Sequence, residues 1–332
     1  MVTNRLNERS EERELENIRY NLRDLNSYLN DPKLTDIFCN CTGNISIKKF
    51  GKEIEKTSIT LSSSTRFQIL NQVAKYMEID IDFFEYPVLE ATIPVPEWKN
   101  SRITGIYPPW TEGPEFTIRK PPSKIYTLEE YKENGQLSEE RYEIIVNYIK
   151  EKKNIIVAGS TGSGKTTMVN AIIKKKGEYF PNDRYYIVQD VSELKCDMEY
   201  TAMPIIRADQ AIKAVALSLR YTPNTIIFGE VRKGNVMAEL LDAWNTGHPG
   251  GVTTIHSNSS SSTIIRIKKL LLDHYKSEAA LPDLNEYVDL IIYLQKDKEH
   301  GVIVNDTMEM KKQSLSEEEE NLMANFQLSE PQ

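Results

Sequence analysis

Nine consecutive residues, Gly159-Ser160-Thr161-Gly162-Ser163-Gly164-Lys165-Thr166-Thr167, follow an apolar run and open a helical pattern. They complete the spacing G-x-x-x-x-G-K-[ST], in which a glycine-rich turn aims successive backbone N–H groups at one anion. The glycines permit angles that bulkier residues avoid, and the following helix adds the positive end of its dipole. Lys165 then supplies a mobile charge for the β- and γ-phosphates, and the Thr166 hydroxyl is placed to ligate Mg²⁺. The chemistry expected here is phosphate binding.

Three further positions carry reactive groups, each just past a short run of apolar or β-branched residues. Asp190 and Glu193, three apart, can present two carboxylates to one Mg²⁺ and its waters, although Asp190 also suits a helix cap. Glu230 stands where an NTPase holds magnesium through water or polarises the attacking water. A structural pairing of Glu230 with Arg232 or Arg220 is the competing reading. His256 is placed to sense the γ-phosphate, or else is a satisfied interior histidine. His248, between Gly247 and Pro249, reads as a turn residue.

The elements that must position these groups are legible as patterns. The runs at 154–158, 185–189, 225–228 and 252–255 are separated by helical segments, which predicts an α/β domain with a parallel, doubly wound sheet. Ligands of such sheets bind outside the carboxyl ends of the strands, so all four reactive stretches should meet on one edge. The helix after the glycine loop is expected to run from Thr166 to about Lys176, with Gly177 as its stop. Two later β-prone runs, 288–294 and 301–305, predict a closing hairpin. Ahead of the loop, Thr127 with Glu130 suggests a capping box, and Ser138 the N-cap of a helix burying Ile144, Ile145, Tyr148 and Ile149.

The first third of the chain has a different texture. Leu15, Ile18, Leu22, Leu25 and Leu29 mark one amphipathic helix ending near Asn30-Asp31-Pro32. Short β-prone pieces at 37–59, a helix at 66–77 and two more strands within 89–106 predict a smaller α+β domain. Phe116-Thr117-Ile118-Arg119 leads into the stiff Lys120-Pro121-Pro122, where the domain linker is expected. The resulting division is 1–19 as a charged extension, 20–122 as the N-terminal domain, 123–137 as linker and first helix, and 138–310 as the α/β domain. The polar, acidic stretch 311–332 reads as a disordered tail.

Bulk properties narrow the function. With 41 Lys plus Arg against 49 Asp plus Glu, the charge of −8 offers no global basic field, so direct DNA binding is not implied. Lys268 and Lys269 could still supply a local basic channel. Three cysteines without C-x-x-C and four scattered histidines fit reduced cytosolic thiols and no metal-ligand spacing. No run approaches the roughly 20 apolar residues of a membrane span, so any membrane association is expected to be peripheral. A GTPase switch would carry an N-K-x-D motif, which is absent from the sequence. A small-molecule kinase would need an acceptor pocket, and no distinct lid separates the strand-end motifs.

With these residues placed, the chain resembles the ring-forming ATPases of bacterial type II and type IV secretion, particularly the conjugal-transfer branch. The resemblance covers roughly residues 22–294 and rests on the phosphate loop, an aspartate box at Asp190 to Glu193, Gly229-Glu230-Val231-Arg232, Ala243-Trp244-Asn245-Thr246-Gly247-His248-Pro249-Gly250-Gly251, and a histidine box around His256. It implies a RecA-like P-loop motor with ATP and Mg²⁺, assembled as a homo-hexamer beneath the inner membrane with secretion or conjugation components as partners. It also implies catalytic roles for Glu193 and His256 beside Glu230, and for arginines of the N-terminal domain and linker, at positions matching Arg102 and Arg119. An added guanidinium there would offset charge on the transferring phosphoryl group. The aspartate box departs from the family pattern, with Gln189 where an acid is more usual and Ser192 where Thr is. A type II secretion or pilus motor is the nearest alternative, although many assembly motors carry paired C-x-x-C motifs. A nucleotide-binding switch without turnover is the alternative from another class.

Overall fold

The structure, a computed structural model, describes residues 2–49, 52–98, 101–121 and 125–310. The 311–332 stretch therefore lies outside the described residues. The chain divides into two compact units, Met1–Ile125 and Tyr126–Gln332.

In the first unit the 15–29 pattern does not form one continuous helix. Helix α1 (Val2–Asn21) gives way to a 3₁₀ turn at Arg23–Leu25 and then to the short α2 (Asn26–Asn30). Ile18, Leu22, Leu25 and Leu29 all remain buried, because the tighter turn redirects the chain without moving its apolar stripe off the core. Strands β1 (Leu34–Cys39), β2 (Asn44–Lys49) and β3 (Ile54–Thr60) precede α3 (Ser63–Tyr76), and β4 (Val88–Thr92), β5 (Arg102–Ile106) and β6 (Glu115–Arg119) follow. They form one sheet in the order β3-β2-β1-β6-β5-β4, antiparallel at every pairing. The run leading into the linker is thus itself a strand, in the middle of the sheet.

One buried cation fixes the end of this domain. Arg66 on α3, 3% exposed, donates to the carbonyls of Pro114, Leu61 and Cys41 at 2.6, 2.6 and 2.7 Å. Three segments distant in sequence are pinned to one guanidinium, whose burial is tolerated because its donors are satisfied.

In the second unit, α4 (Leu128–Glu133) starts on the Thr127–Glu130 capping box, and α5 (Glu139–Lys150) starts on Ser138. Then come β7 (Ile155–Gly159), α6 (Lys165–Tyr179), β8 (Tyr185–Val188), the two-residue β9 (Thr201–Ala202), α7 (Ala211–Ser218), β10 (Thr225–Phe228) and α8 (Gly234–Asn245). Strand β11 (Val252–Ile255), α9 (Ser260–Tyr275), α10 (Leu284–Tyr287), β12 (Leu290–Asp297) and β13 (Gly301–Glu309) complete it. The sheet runs β13-β12-β7-β11-β10-β8-β9, parallel except for the β12–β13 hairpin. Along β7, Ile155 and Val157 face a core shared with α4, α5 and α6, while Ile156 and Ala158 face one shared with α7, α8 and α9. Helices cover both faces, which is why these runs are apolar throughout rather than alternating.

Gly177 does not stop α6, which continues to Tyr179. A β-carbon there would lie 2.6 Å from the Met198 sulfur, so the glycine serves close packing of the 196–198 segment instead. The Trp-Asn-Thr-Gly-His-Pro-Gly-Gly stretch is likewise structural. Trp244 donates to the Ile226 carbonyl at 3.1 Å, and a β-carbon on Gly251 would meet its indole nitrogen at 2.0 Å. His248 is a satisfied turn residue, its Nδ1 2.7 Å from the Pro223 carbonyl. This stretch enters the N-terminal end of β11, so it braces the sheet edge opposite the one from which His256 emerges.

Candidate nucleotide-binding site

The strand β7 ends on Gly159, and α6 begins on Lys165. Between them Gly162 (φ +70°) and Gly164 (φ +80°) take the left-handed backbone that turns the loop over the helix start. A β-carbon on Gly159 would lie 2.3 Å from Ser163 Oγ and 2.7 Å from the Leu294 carbonyl, so side-chain bulk is excluded there. Ser163 is fully buried, and its hydroxyl has no protein partner among the described residues. A glycine cradle, a helix N-terminus and a buried hydroxyl are the donor set a polyphosphate requires, so the loop fits the nucleotide that its sequence implies.

Lys165 is 8% exposed, and its ammonium lies 3.0 Å from the Gly159 and Ser160 carbonyls and 3.1 Å from His256 Nδ1. An ammonium only donates, so Nδ1 accepts and the imidazole proton belongs on Nε2. There it faces Glu230 Oε1 at 3.1 Å. One neutral tautomer of His256 satisfies both neighbours. Glu230 Oε2 accepts from Arg232 Nη2 at 2.9 Å, and Arg232 Nη1 forms an ion pair with Asp190 Oδ2 at 3.0 Å. The strand ends of β7, β8, β10 and β11 are thereby joined in a single polar chain: Lys165, His256, Glu230, Arg232, Asp190.

Charges in this chain set its protonation. Burial pushes the Glu230 carboxyl up, but the hydrogen bond and charge of Arg232 outweigh it and hold the group below the usual carboxylate range. Burial, then the Lys165 ammonium, holds His256 below the ordinary imidazole value of 6.5 against the pull of Glu230. Glu230 is accordingly an anion and His256 a neutral bridge at neutral pH.

The pairing of Glu230 with Arg232 is present, and it coexists with the contact to His256. No helix begins at Asp190, so the capping role does not arise. Glu193 is brought to the same edge by two amides: Gln189, which the sequence shows only as a departure from the family pattern, and Asn170, which it does not single out. Gln189 Oε1 accepts from the backbone N–H groups of Glu193 and Leu194 at 3.1 and 2.8 Å. Asn170 donates to the Glu193 carbonyl at 3.0 Å and accepts from Lys195 N–H at 2.8 Å. Asn170 lies four residues after Thr166 on α6, hence on the same helix face, a spacing that could have flagged it. The unusual Gln189 is thus a loop clamp, 4% exposed.

Among the described residues no three His, Cys, Asp or Glu side chains gather as a metal-ligand set. The acids Asp190 and Glu230 share Arg232 instead. Mg²⁺ in phosphate sites keeps phosphate oxygens and waters and takes few protein ligands, so such a set is not required of it. Arg102 and Arg119 belong to the other unit, where they face each other in register on β5 and β6, with Asp36 opposite Arg119 on β1. Paired positions share a sheet face, so both guanidinium groups start from one side of the N-terminal sheet.

Comparison with known proteins places this geometry in a family. The family model described as "Type II/IV secretion system protein" matches residues 99–315. Among curated relatives, the probable conjugal transfer protein TrbB of Sinorhizobium fredii is 32% identical over 272 residues, covering 81% of each chain. The conjugal transfer protein TrbB of Rhizobium radiobacter is 34% identical over 271 residues, again 81% of each. Of solved structures, the ATPase DotB of Legionella pneumophila aligns with TM-score 0.63 and 17% identity, covering 92% of this chain and 83% of that one. The pilus retraction motor PilT with bound ADP aligns with TM-score 0.64 and 16% identity, covering 92% and 89%. These two likenesses concern the fold alone, a RecA-like α/β domain with a smaller N-terminal domain. The sequence matches go further: this chain belongs to the type II/IV secretion system protein family, with conjugal transfer proteins among its relatives.

Proposed function

We propose that the chain is a Mg²⁺-dependent ATPase, acting as a homo-hexameric ring at the cytoplasmic side of the inner membrane. It powers assembly of, or substrate transfer through, a type IV secretion or conjugation apparatus. The observation that carries this reading is the Lys165–His256–Glu230–Arg232–Asp190 chain, which binds the phosphate loop to a carboxylate kept ionised for work on water. A switch that only binds nucleotide has no need of that carboxylate. The conjugal-transfer relatives favour this branch over type II secretion.

In this reading the N–H groups of 159–167 and Lys165 hold the phosphates, and Thr166, Asp190, Glu193 and Glu230 would hold the metal. Mg²⁺ there would supply neutralisation of charge on the phosphate oxygens. Glu230 accepts a hydrogen bond from the attacking water and orients it. His256 keeps Lys165 and Glu230 at a fixed separation without adding charge. Arg102 and Arg119 of the N-terminal domain are the candidates for an added guanidinium on the phosphates. None of the described helices is long and apolar enough to cross a membrane.

The reading is tested by measuring ATP hydrolysis per subunit against protein concentration. A specific rate that climbs and then saturates as rings form is the expected result. A flat rate at concentrations where the protein sediments as a monomer would return a kinase-like, single-subunit site. A second expectation concerns the loop clamp. Asn170→Leu keeps the helix but frees the 193–195 backbone, and displacement of a catalytic group by about 1 Å costs up to about 10²-fold. Turnover should drop by about 10- to 100-fold with KM for ATP little changed, and added Mg²⁺ should not restore it. Loss of ATP binding in that variant would instead assign Asn170 to the cradle itself.

A further inference from the structure

The N-terminal unit carries an aromatic cleft that the nucleotide site does not use. Tyr107 forms its floor, fully buried, with its hydroxyl donating to Asn71 Oδ1 at 2.9 Å. Phe67 and Phe83 stand edge-on to that ring at 5.6 and 5.1 Å. With Pro108, Pro114 and the start of α3 they enclose about 550 Å³. Beside it Tyr86 stacks edge-on against Trp110 at 5.6 Å, with both rings about half exposed. Phe84 projects almost bare, 95% exposed. Scattered exposed apolar residues need no explanation, but a contiguous aromatic patch marks a contact surface.

The surface is rigid where it matters. Asp82 Oδ1 accepts from the N–H groups of Phe84 and Glu85, both at 2.9 Å, and Tyr86 N–H donates to the Asp82 carbonyl at 3.0 Å. This tight turn sends Phe83 onto Tyr107 and Phe84 outward. Arg66 fixes the opposite wall through the Pro114 carbonyl. A preorganised aromatic surface loses little entropy on binding.

Charge selects the occupant. Residues 76–98 and 103–118, which supply half of the cleft's lining and the exposed Phe84, Tyr86 and Trp110, contain no lysine or arginine, whereas Glu78, Asp80, Asp82, Glu85 and Glu112 lie within them. Aromatic faces bordered by carboxylates attract guanidinium and ammonium groups. The same carboxylates repel anionic lipid and nucleic acid, and they do not suit the acidic 311–332 stretch of this chain.

We propose that this cleft docks an extended, arginine- or lysine-rich peptide segment of a partner protein. The cytoplasmic loops of integral membrane proteins have that composition, through the positive-inside bias. Identifying the partner as a membrane component rests on the secretion reading above, whereas the chemistry of the surface does not depend on it.

The test is fluorescence anisotropy of a labelled ten-residue peptide of alternating arginine and proline, titrated with the full chain, beside an ATP hydrolysis assay on the same samples. Saturable one-to-one binding is expected. Phe84→Ser, which changes no charge, should weaken it at least about tenfold, as loss of a hot-spot aromatic does. Glu85→Gln with Glu112→Gln should flatten its salt dependence. Hydrolysis should be unchanged in both variants, so the docking surface and the ATPase reading stand or fall separately. No saturable binding, or binding indifferent to Phe84→Ser, overturns the proposal. Phe84-dependent binding to phosphatidylserine vesicles without peptide competition overturns it in favour of a lipid surface. A concentration-dependent self-association that Phe84→Ser abolishes and the peptide does not displace overturns it in favour of a second copy.

Discussion

Glu230→Gln leaves ATP binding in place and lowers turnover by about 10²- to 10⁴-fold, the range a positioned general base contributes. The amide keeps the shape of the carboxylate but not its charge. Glu230 touches two donors, His256 Nε2–H and Arg232 Nη2, and an amide can accept from only one of them with its single oxygen. The other contact becomes donor against donor, so the polar chain breaks on one side of the residue. Fluorescence binding of a labelled ATP analogue, measured beside steady-state hydrolysis, separates the two effects. Turnover within about threefold of the unsubstituted protein would remove Glu230 from the chemistry.

Lys165→Ala should cost at least about 10²-fold in turnover, the cost of removing one preorganised donor from developing charge. Unlike Glu230→Gln it should also weaken ATP binding. It has a second, independent signature. After burial, the Lys165 ammonium is the main reason that the His256 imidazole sits below 6.5. Removing it raises that value, which an NMR titration of the imidazole reads without any activity. The sign also fixes stability. His256 and Glu230 both bind protons less readily in the fold than in the unfolded chain, so stability rises with pH in each window. The His256 contribution is lost as pH falls below 6.5, and that of Glu230 below the ordinary 4.5. An imidazole titrating above 6.5 in the unsubstituted protein would contradict the neutral bridge.

The parts of this architecture that depend on local pattern were legible. The runs 225–228 and 252–255 coincide with β10 and β11, because a strand buried on both faces tolerates only apolar and β-branched residues. The parts that depend on tertiary contact were not. Gly177 resembles a helix stop locally, and only the approach of Met198 shows its purpose. The break after Asn21 leaves the leucine spacing intact and is invisible in it. Asn170 and Gln189 act through backbone groups 23 to 25 and 4 to 5 residues away, and only the four-residue step from Thr166 to Asn170 hints at either.

The placement of β7 bears on how the protein is made. Its two sheet neighbours are β11 and β12, so the strand ending at Gly159 is flanked by segments beginning at Val252 and Leu290. At translation speeds of about 5–20 residues per second, both edges of the phosphate-loop strand stay unpaired for about 5–20 seconds of synthesis, and the β12 edge for about 7–26 seconds. Nucleotide can select the native state only after the second neighbour has emerged, so ligand rescue arrives last. Nascent chains stalled before Leu290 should bind a chaperone rather than ATP.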